Sequence, residues 1–276
     1  MCGRYAATKN PAKLAAEFDA VDGTEGEAPS ENYNVAPTMN VLTVVQRHPR
    51  DEEGRVIQDE PAVRSVRVMR WGLVPFWAKD PAVGNRMINT RAESATEKPA
   101  FRKALSRRRC LIPADGWFEW RAGSGGDKTG KNADKKADKK APKDPFFMTT
   151  RDGSSLAMAG LWETWRDPKA DPDAAPLITC SVITTDAVGQ LADIHHRMPL
   201  LMPSRHWNTW LDPDNTEVTG LLGEPDPELV DRLELRPVST RVNNVRHNGP
   251  ELTERVDPAP AELDGGLFDL PSSRHP

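Results

Sequence analysis

The 276-residue sequence is poor in cysteine, with three, and in tyrosine, with two, and its acidic and basic side chains nearly balance, at a net charge of -4. The three cysteines, Cys2, Cys110 and Cys180, stand far apart with no CxxC pair and no cluster of zinc-site spacing, which excludes a disulfide framework and predicts no metal. No stretch is apolar for the eighteen or so residues that a membrane span needs, and the start, MCGRYAATKNPAKLAAEF, has no apolar core of signal-peptide type. The expectation is a soluble protein in a reducing, cytoplasmic setting. Without an overall basic charge, any nucleic-acid contact must come from a local patch.

What is present is a series of short runs rich in Val, Ile, Thr and aromatics: VLTVVQ, VRSVRVMRW, CLIPADGWFEW, FFMTT, LAMAGLWETW and LITCSVITT. These read as strands. Helical segments lie between some of them: NPAKLAAEF with Asn10 as cap and Pro11 in the first turn, KPAFRKAL with Pro99 early, and PSRHWNTWL. Helices do not alternate regularly with strands. The expected class is therefore α+β: a single domain with a central, largely antiparallel, barrel-like β-sheet and peripheral helices, spanning residues 2–255. Residues 121–144, RAGSGGDKTGKNADKKADKKAPKD, hold no large apolar residue and read as a disordered, solvated insertion, and residues 256–276 as a flexible tail.

Cys2 carries the most chemistry. Aminopeptidases remove Met1 when a small residue follows, which leaves an α-amine beside a thiol. The amine, with an ordinary pKa of about 7.7–8.0, condenses with an aldehyde to an imine, and the thiol then closes a thiazolidine ring. An internal cysteine cannot do this. Taken alone, a cysteine after the start Met is more often accidental.

Eight blocks in order give it meaning: MCGRY, YNVAPT at 33–38, RWGLVPFWAKD at 70–80, NTRAES at 89–94, CLIPADGWFEW at 110–120, AGLWETW at 159–165, DIHHRMP at 193–199 and VNNVRHNGPEL at 242–252. Together they resemble the abasic-site processing family, also called the SOS response-associated peptidase (SRAP) family, over nearly the whole chain except the lysine-rich insertion and the tail. The resemblance implies that Cys2 crosslinks to the ring-opened aldehyde of an abasic site in single-stranded DNA. It implies that Asn89 orients the deoxyribose or the Cys2 amine, that Arg91 binds a phosphate, that Glu119 is the catalytic carboxylate and that His195 is a general acid/base, with His196 a surface neighbour. Without the family blocks, Asn89 and Arg91 would read as turn and surface residues, and Glu119 as a solvent-facing strand residue.

For DNA contact, which needs cations and stacking surfaces, the sequence offers Arg4 beside the nucleophile, Arg70 and Arg91, and the resemblance places Phe76 and Trp77 where the family wedges aromatics beside the lesion. Arg107, Arg108 and Arg109 extend this basic set or merely end a helix, and Trp71 and Trp162 read as core. No cofactor is implied. The expected partners are abasic single-stranded DNA and the replication machinery, with the protein a monomer, nucleoid-associated when it acts. Weak lyase activity follows from the same imine. Two rivals remain: a cysteine peptidase using Cys2 and His195, including self-cleavage after Met1, and a single-strand-binding module without chemistry.

Overall fold

A computed structural model describes residues 2–57, 59–122, 143–171 and 173–256. In chain order the elements are β1 (Tyr5–Ala7), α1 (Pro11–Glu17), β2 (Val21–Asp22), β3 (Asn32–Val35), β4 (Asn40–Arg47), β5 (Val63–Trp71), β6 (Asn89–Arg91), α2 (Ala92–Ala95), α3 (Pro99–Arg107), β7 (Arg109–Ala114), β8 (Gly116–Ala122), β9 (Lys143–Thr150), β10 (Leu156–Trp165), β11 (Leu177–Asp186), β12 (Arg197–Pro199), α4 (Trp207–Leu211), α5 (Pro227–Asp231) and β13 (Leu233–Pro237). Each apolar run became a strand, and CLIPADGWFEW became two, broken at Asp115. The Asn10 side chain caps α1 by accepting from the Lys13 N–H at 2.9 Å.

The α+β class is as expected, and the strands divide between a larger, ring-like sheet and a smaller one. The larger follows the order β12-β11-β10-β7-β4-β5-β2, and β11 also pairs with β5 in parallel at Thr179↔Arg70 and Cys180↔Trp71. That pairing bends the sheet back on itself. A single pair, Val44↔Leu111, joins β4 to β7, so the sheet is ring-like but not a closed barrel. The smaller sheet, β13-β9-β8-β1-β3, is wholly antiparallel.

Alternation along the strands sorts the core into layers. On β4, Val41 and Val45 face the inside of the ring with Met69, Trp71, Cys110, Met158 and Cys180, while Leu42 and Val44 face outward against Leu14 of α1, Phe101 and Leu105 of α3, and Trp210 of α4. Burial on both faces is why these strands read as almost unbroken apolar runs. The smaller sheet lays Trp117, Met148 and Leu233 onto the ring's inner cluster, and Cys2 joins them there. Its other face, with Phe118 and Phe147, is covered by Val238 and Val242.

Trp71 is fully buried, with its indole N–H bonded to the Ile88 carbonyl at 2.9 Å, and Trp162 is buried between the guanidinium groups of Arg47 and Arg108. Both are core residues, as read. Residues 123–142 of the insertion and 257–276 of the tail lie outside the described residues. The ends of the expected insertion belong instead to the β8–β9 ladder, in which Arg121 pairs with Asp144 and Ala122 with Lys143. Main-chain hydrogen bonding there needs no apolar side chain, which is why composition misplaced the boundary.

Candidate active site

The chain enters beside β8. The Phe118 N–H donates to the Arg4 carbonyl at 2.9 Å and Tyr5 pairs with Trp117, so the segment carrying Cys2 runs antiparallel to the strand carrying Glu119. Asn89, on β6 next to β11, donates from Nδ2 to the Cys2 carbonyl at 2.7 Å and fixes residue 2 from the other sheet. The Asn89 Oδ1 is buried and accepts no hydrogen bond among the described residues. Buried carbonyl groups normally have a partner, so this one is placed to receive a donor.

Cys2 is fully buried, and its thiol is pushed above the usual range by burial, with the nearby Glu119 carboxylate adding to the effect and an Arg4 backbone N–H only partly offsetting it. The thiol is therefore held protonated. Glu119 is 5% exposed, contrary to a solvent-facing strand position. The reason is the face it is on: alternation along β8 puts Glu119 on the same side as Trp117, which packs onto the ring's inner cluster. Burial raises the Glu119 carboxyl above the ordinary carboxylate range, against the opposing pull of His196 and Lys143.

Glu119, Trp120, Lys143, His195 and Asn243 line an open cleft of about 530 Å³. Burial lowers the pKa of His195, so its ring is neutral at neutral pH. His195 Nδ1 faces the backbone of Arg197: the Arg197 N–H, at 3.0 Å, donates to it in one tautomer, and the Arg197 carbonyl, at 3.1 Å, accepts from it in the other and when the ring charges. Arg197 is itself buried and clamped by Glu93, Asp186 and the Thr184 carbonyl. That clamp anchors the histidine loop to β11. His196 is exposed, stacked on His195 with centroids 4.4 Å apart.

The residues named for DNA contact divide. Arg91 is exposed where β6 meets α2. Phe76 and Trp77 are 52% and 57% exposed, and the Lys103 ammonium lies 4.5 Å above the Phe76 ring. Their loop turns at Gly72, whose φ of +127° suits glycine and where a Cβ would lie 2.6 Å from the Gly84 carbonyl oxygen. Arg4 and Arg70 have internal work: Arg4 donates to Asn34 Oδ1 at 2.6 Å and the Val242 carbonyl at 2.8 Å, and Arg70 donates to Asn85 Oδ1 at 2.7 Å. Arg109 is buried and donates to five carbonyls, those of Leu105, Ser106, Trp210, Asp212 and Asn215, so it belongs to the core of the helix-to-strand junction. Lys143, Asn243 and Arg197 were not singled out from sequence, although Asn243 and Arg197 sit inside quoted blocks.

Among the described residues no group of three His, Cys, Asp or Glu could hold a metal ion, and no helix is long and apolar enough to cross a membrane.

The family model described as SOS response associated peptidase (SRAP) matches residues 1–245. The chain belongs to the SRAP family. Over 262 residues it is 36% identical to the abasic site processing protein YoqW of Bacillus subtilis (strain 168), covering 92% of this chain and 99% of that one. It is 30% identical over 252 residues to the abasic site processing protein HMCES of Rattus norvegicus, covering 84% of this chain and 65% of that longer protein. A crystal structure of a Bacteroides thetaiotaomicron protein superposes with a TM-score of 0.70 at 23% identity, over 92% of this SRAP chain and all of that one, which is a likeness of fold.

Proposed function

We propose that this SRAP protein processes abasic sites in single-stranded DNA by joining the lesion covalently to Cys2 and shielding the strand. The observation that carries the reading is the convergence of Cys2, its Asn89 clamp and Glu119 beside the cleft that His195 lines. The names of the YoqW and HMCES relatives agree with it.

Removal of Met1 turns the Cys2 nitrogen into a primary amine. That amine adds to the aldehyde carbon of the ring-opened sugar, and loss of water gives an imine. The thiol sulfur then adds to the imine carbon while its proton moves to the nitrogen, closing a thiazolidine with one water released overall. A protonated thiol suits this order, because the amine must act first. Glu119, raised above the ordinary carboxylate range, accepts and returns the amine protons, and His195 donates a ring N–H to the sugar ring oxygen as the ring opens while the anomeric hydroxyl returns a proton to the imidazole. β-Elimination from the same imine gives a weak lyase activity. The reaction consumes one protein per lesion, which a monomer satisfies, on strands of the kind that the replication machinery exposes.

The peptidase reading has less support. A cysteine peptidase needs a thiolate stabilised by an adjacent cation. Here burial and a neighbouring carboxylate both oppose the thiolate. The test is intact-mass spectrometry of untagged protein mixed with a single strand bearing one abasic site. A Met1-less protein carrying a DNA adduct, absent in Cys2→Ala, is expected. Equal adduct yield in Cys2→Ala would overturn the proposal, and an added N-terminal tag should abolish the adduct while sparing simple binding.

A further inference from the structure

Lys143 opens β9, the last residue of the ladder that leads out to the insertion, and no family block contains it. It is exposed, and it lines the cleft with Glu119, Trp120, His195 and Asn243. Among these five it is the one permanent cation. Arg4, which lies 6.0 Å from the Trp120 ring, is held by Asn34 and the Val242 carbonyl. Arg91, on β6 of the other sheet, lies within electrostatic reach of His196, which stacks on His195. A strand whose sugar sits at Cys2 carries a phosphodiester on each side of that sugar. One cation is therefore wanted on each flank.

We infer that Lys143 forms a phosphate subsite of this cleft, holding a backbone phosphodiester of single-stranded DNA next to the reacting sugar. The inference rests on the proposed function for its choice of ligand. It assigns a binding task to the insertion's edge strand. The neighbouring Glu119 makes the subsite selective in position: an anion is welcome at the Lys143 ammonium and repelled from the carboxylate, so the phosphate is kept at the mouth while the uncharged aldehyde passes inward. Trp120, whose indole N–H donates to Asn243 Oδ1 at 2.6 Å, lines the same cleft.

The experiment is fluorescence anisotropy with the full chain and an undamaged oligothymidylate at several salt concentrations, which requires no aldehyde. Lys143→Gln should weaken binding about 3- to 10-fold at low salt and lower the slope of log affinity against log salt by about 0.7, the value for one phosphate contact on a single strand. Lys143→Arg should restore both, and Lys13→Gln, which removes an exposed lysine of α1, should leave both at wild-type values. An unchanged slope in Lys143→Gln, or no binding of any single strand by the wild type, would overturn the subsite. Slope loss in a protein that forms no adduct with abasic DNA would keep the subsite and sink the crosslinking reading instead.

Discussion

Asp115, at the break between β7 and β8, and Glu119, four residues on within β8, are both carboxyls that burial raises above the ordinary range. Only one of them is in a place where chemistry can follow. Asp115 accepts the Thr8 N–H at 2.8 Å, its own carbonyl accepts the Thr149 hydroxyl at 2.6 Å, and the groove it lines holds Lys9, Asn10 and Asn40 with no cysteine or histidine. Glu119 has the Cys2 thiol within electrostatic reach and shares a cleft with His195. A displaced carboxyl pKa therefore marks desolvation, and desolvation serves a turn as readily as a site. The nucleophile and the imidazole make the difference.

The contrast breaks most directly at residue 2. Cys2→Ala should lose the thiazolidine adduct entirely, measured as DNA-bound protein on a denaturing gel, whereas Asp115→Asn should crosslink like the wild type. Glu119→Gln comes next, with an expected fall in crosslinking rate of about 100-fold, the order of magnitude of a lost acid–base group. If Asp115→Asn slowed the reaction as much as Glu119→Gln, the two carboxyls would not differ in role.

How the sequence shows this difference is instructive. The apolar runs foretold every long strand, because strands buried on both faces have no polar alternation to hide them. Trp71 and Trp77 sit six residues apart in one block, yet one is fully buried and the other 57% exposed; the Pro75 and Gly72 between them end the strand, so pattern and turn chemistry separate core from surface. The four site residues Cys2, Asn89, Glu119 and His195 came from block resemblance, and only the fold brings residue 2 to residue 119. Sequence could not tell Arg91 from Arg109, since an arginine on the surface and one donating to five carbonyls look alike in a string. Nor could it show Lys143, whose neighbours in sequence are a charged, repetitive segment and whose neighbours in space are Glu119 and His195.

The pH profile of crosslinking sharpens the comparison further. Burial raises Glu119 above the ordinary carboxylate value and lowers His195 below the ordinary imidazole value. With the Cys2 amine itself protonated below about 7.7–8.0, each further group that must be deprotonated, Glu119 and His195, should add about tenfold per pH unit to the acid limb below its own pKa. In Asp115→Asn the limb should stay where it is. In Glu119→Gln the contribution of Glu119 should be missing. A limb at the ordinary carboxylate value in the wild type would mean that Glu119 is not the group being read.

The smallest effect concerns stability at Asp115. A carboxyl whose folded pKa is raised contributes stability that is fully present below its unfolded value and lost as pH rises through the folded value. Asparagine does not titrate, and its Oδ1 keeps the bond from the Thr8 N–H, while its two new amide hydrogens need acceptors. Asp115→Asn should therefore change the unfolding free energy by no more than about 1 kcal/mol, and the variant should gain on the wild type between pH 3 and pH 7 in urea melts. A gap that is constant across that range would show that Asp115 has the same affinity for its proton folded and unfolded, and that its resemblance to Glu119 does not extend even to desolvation.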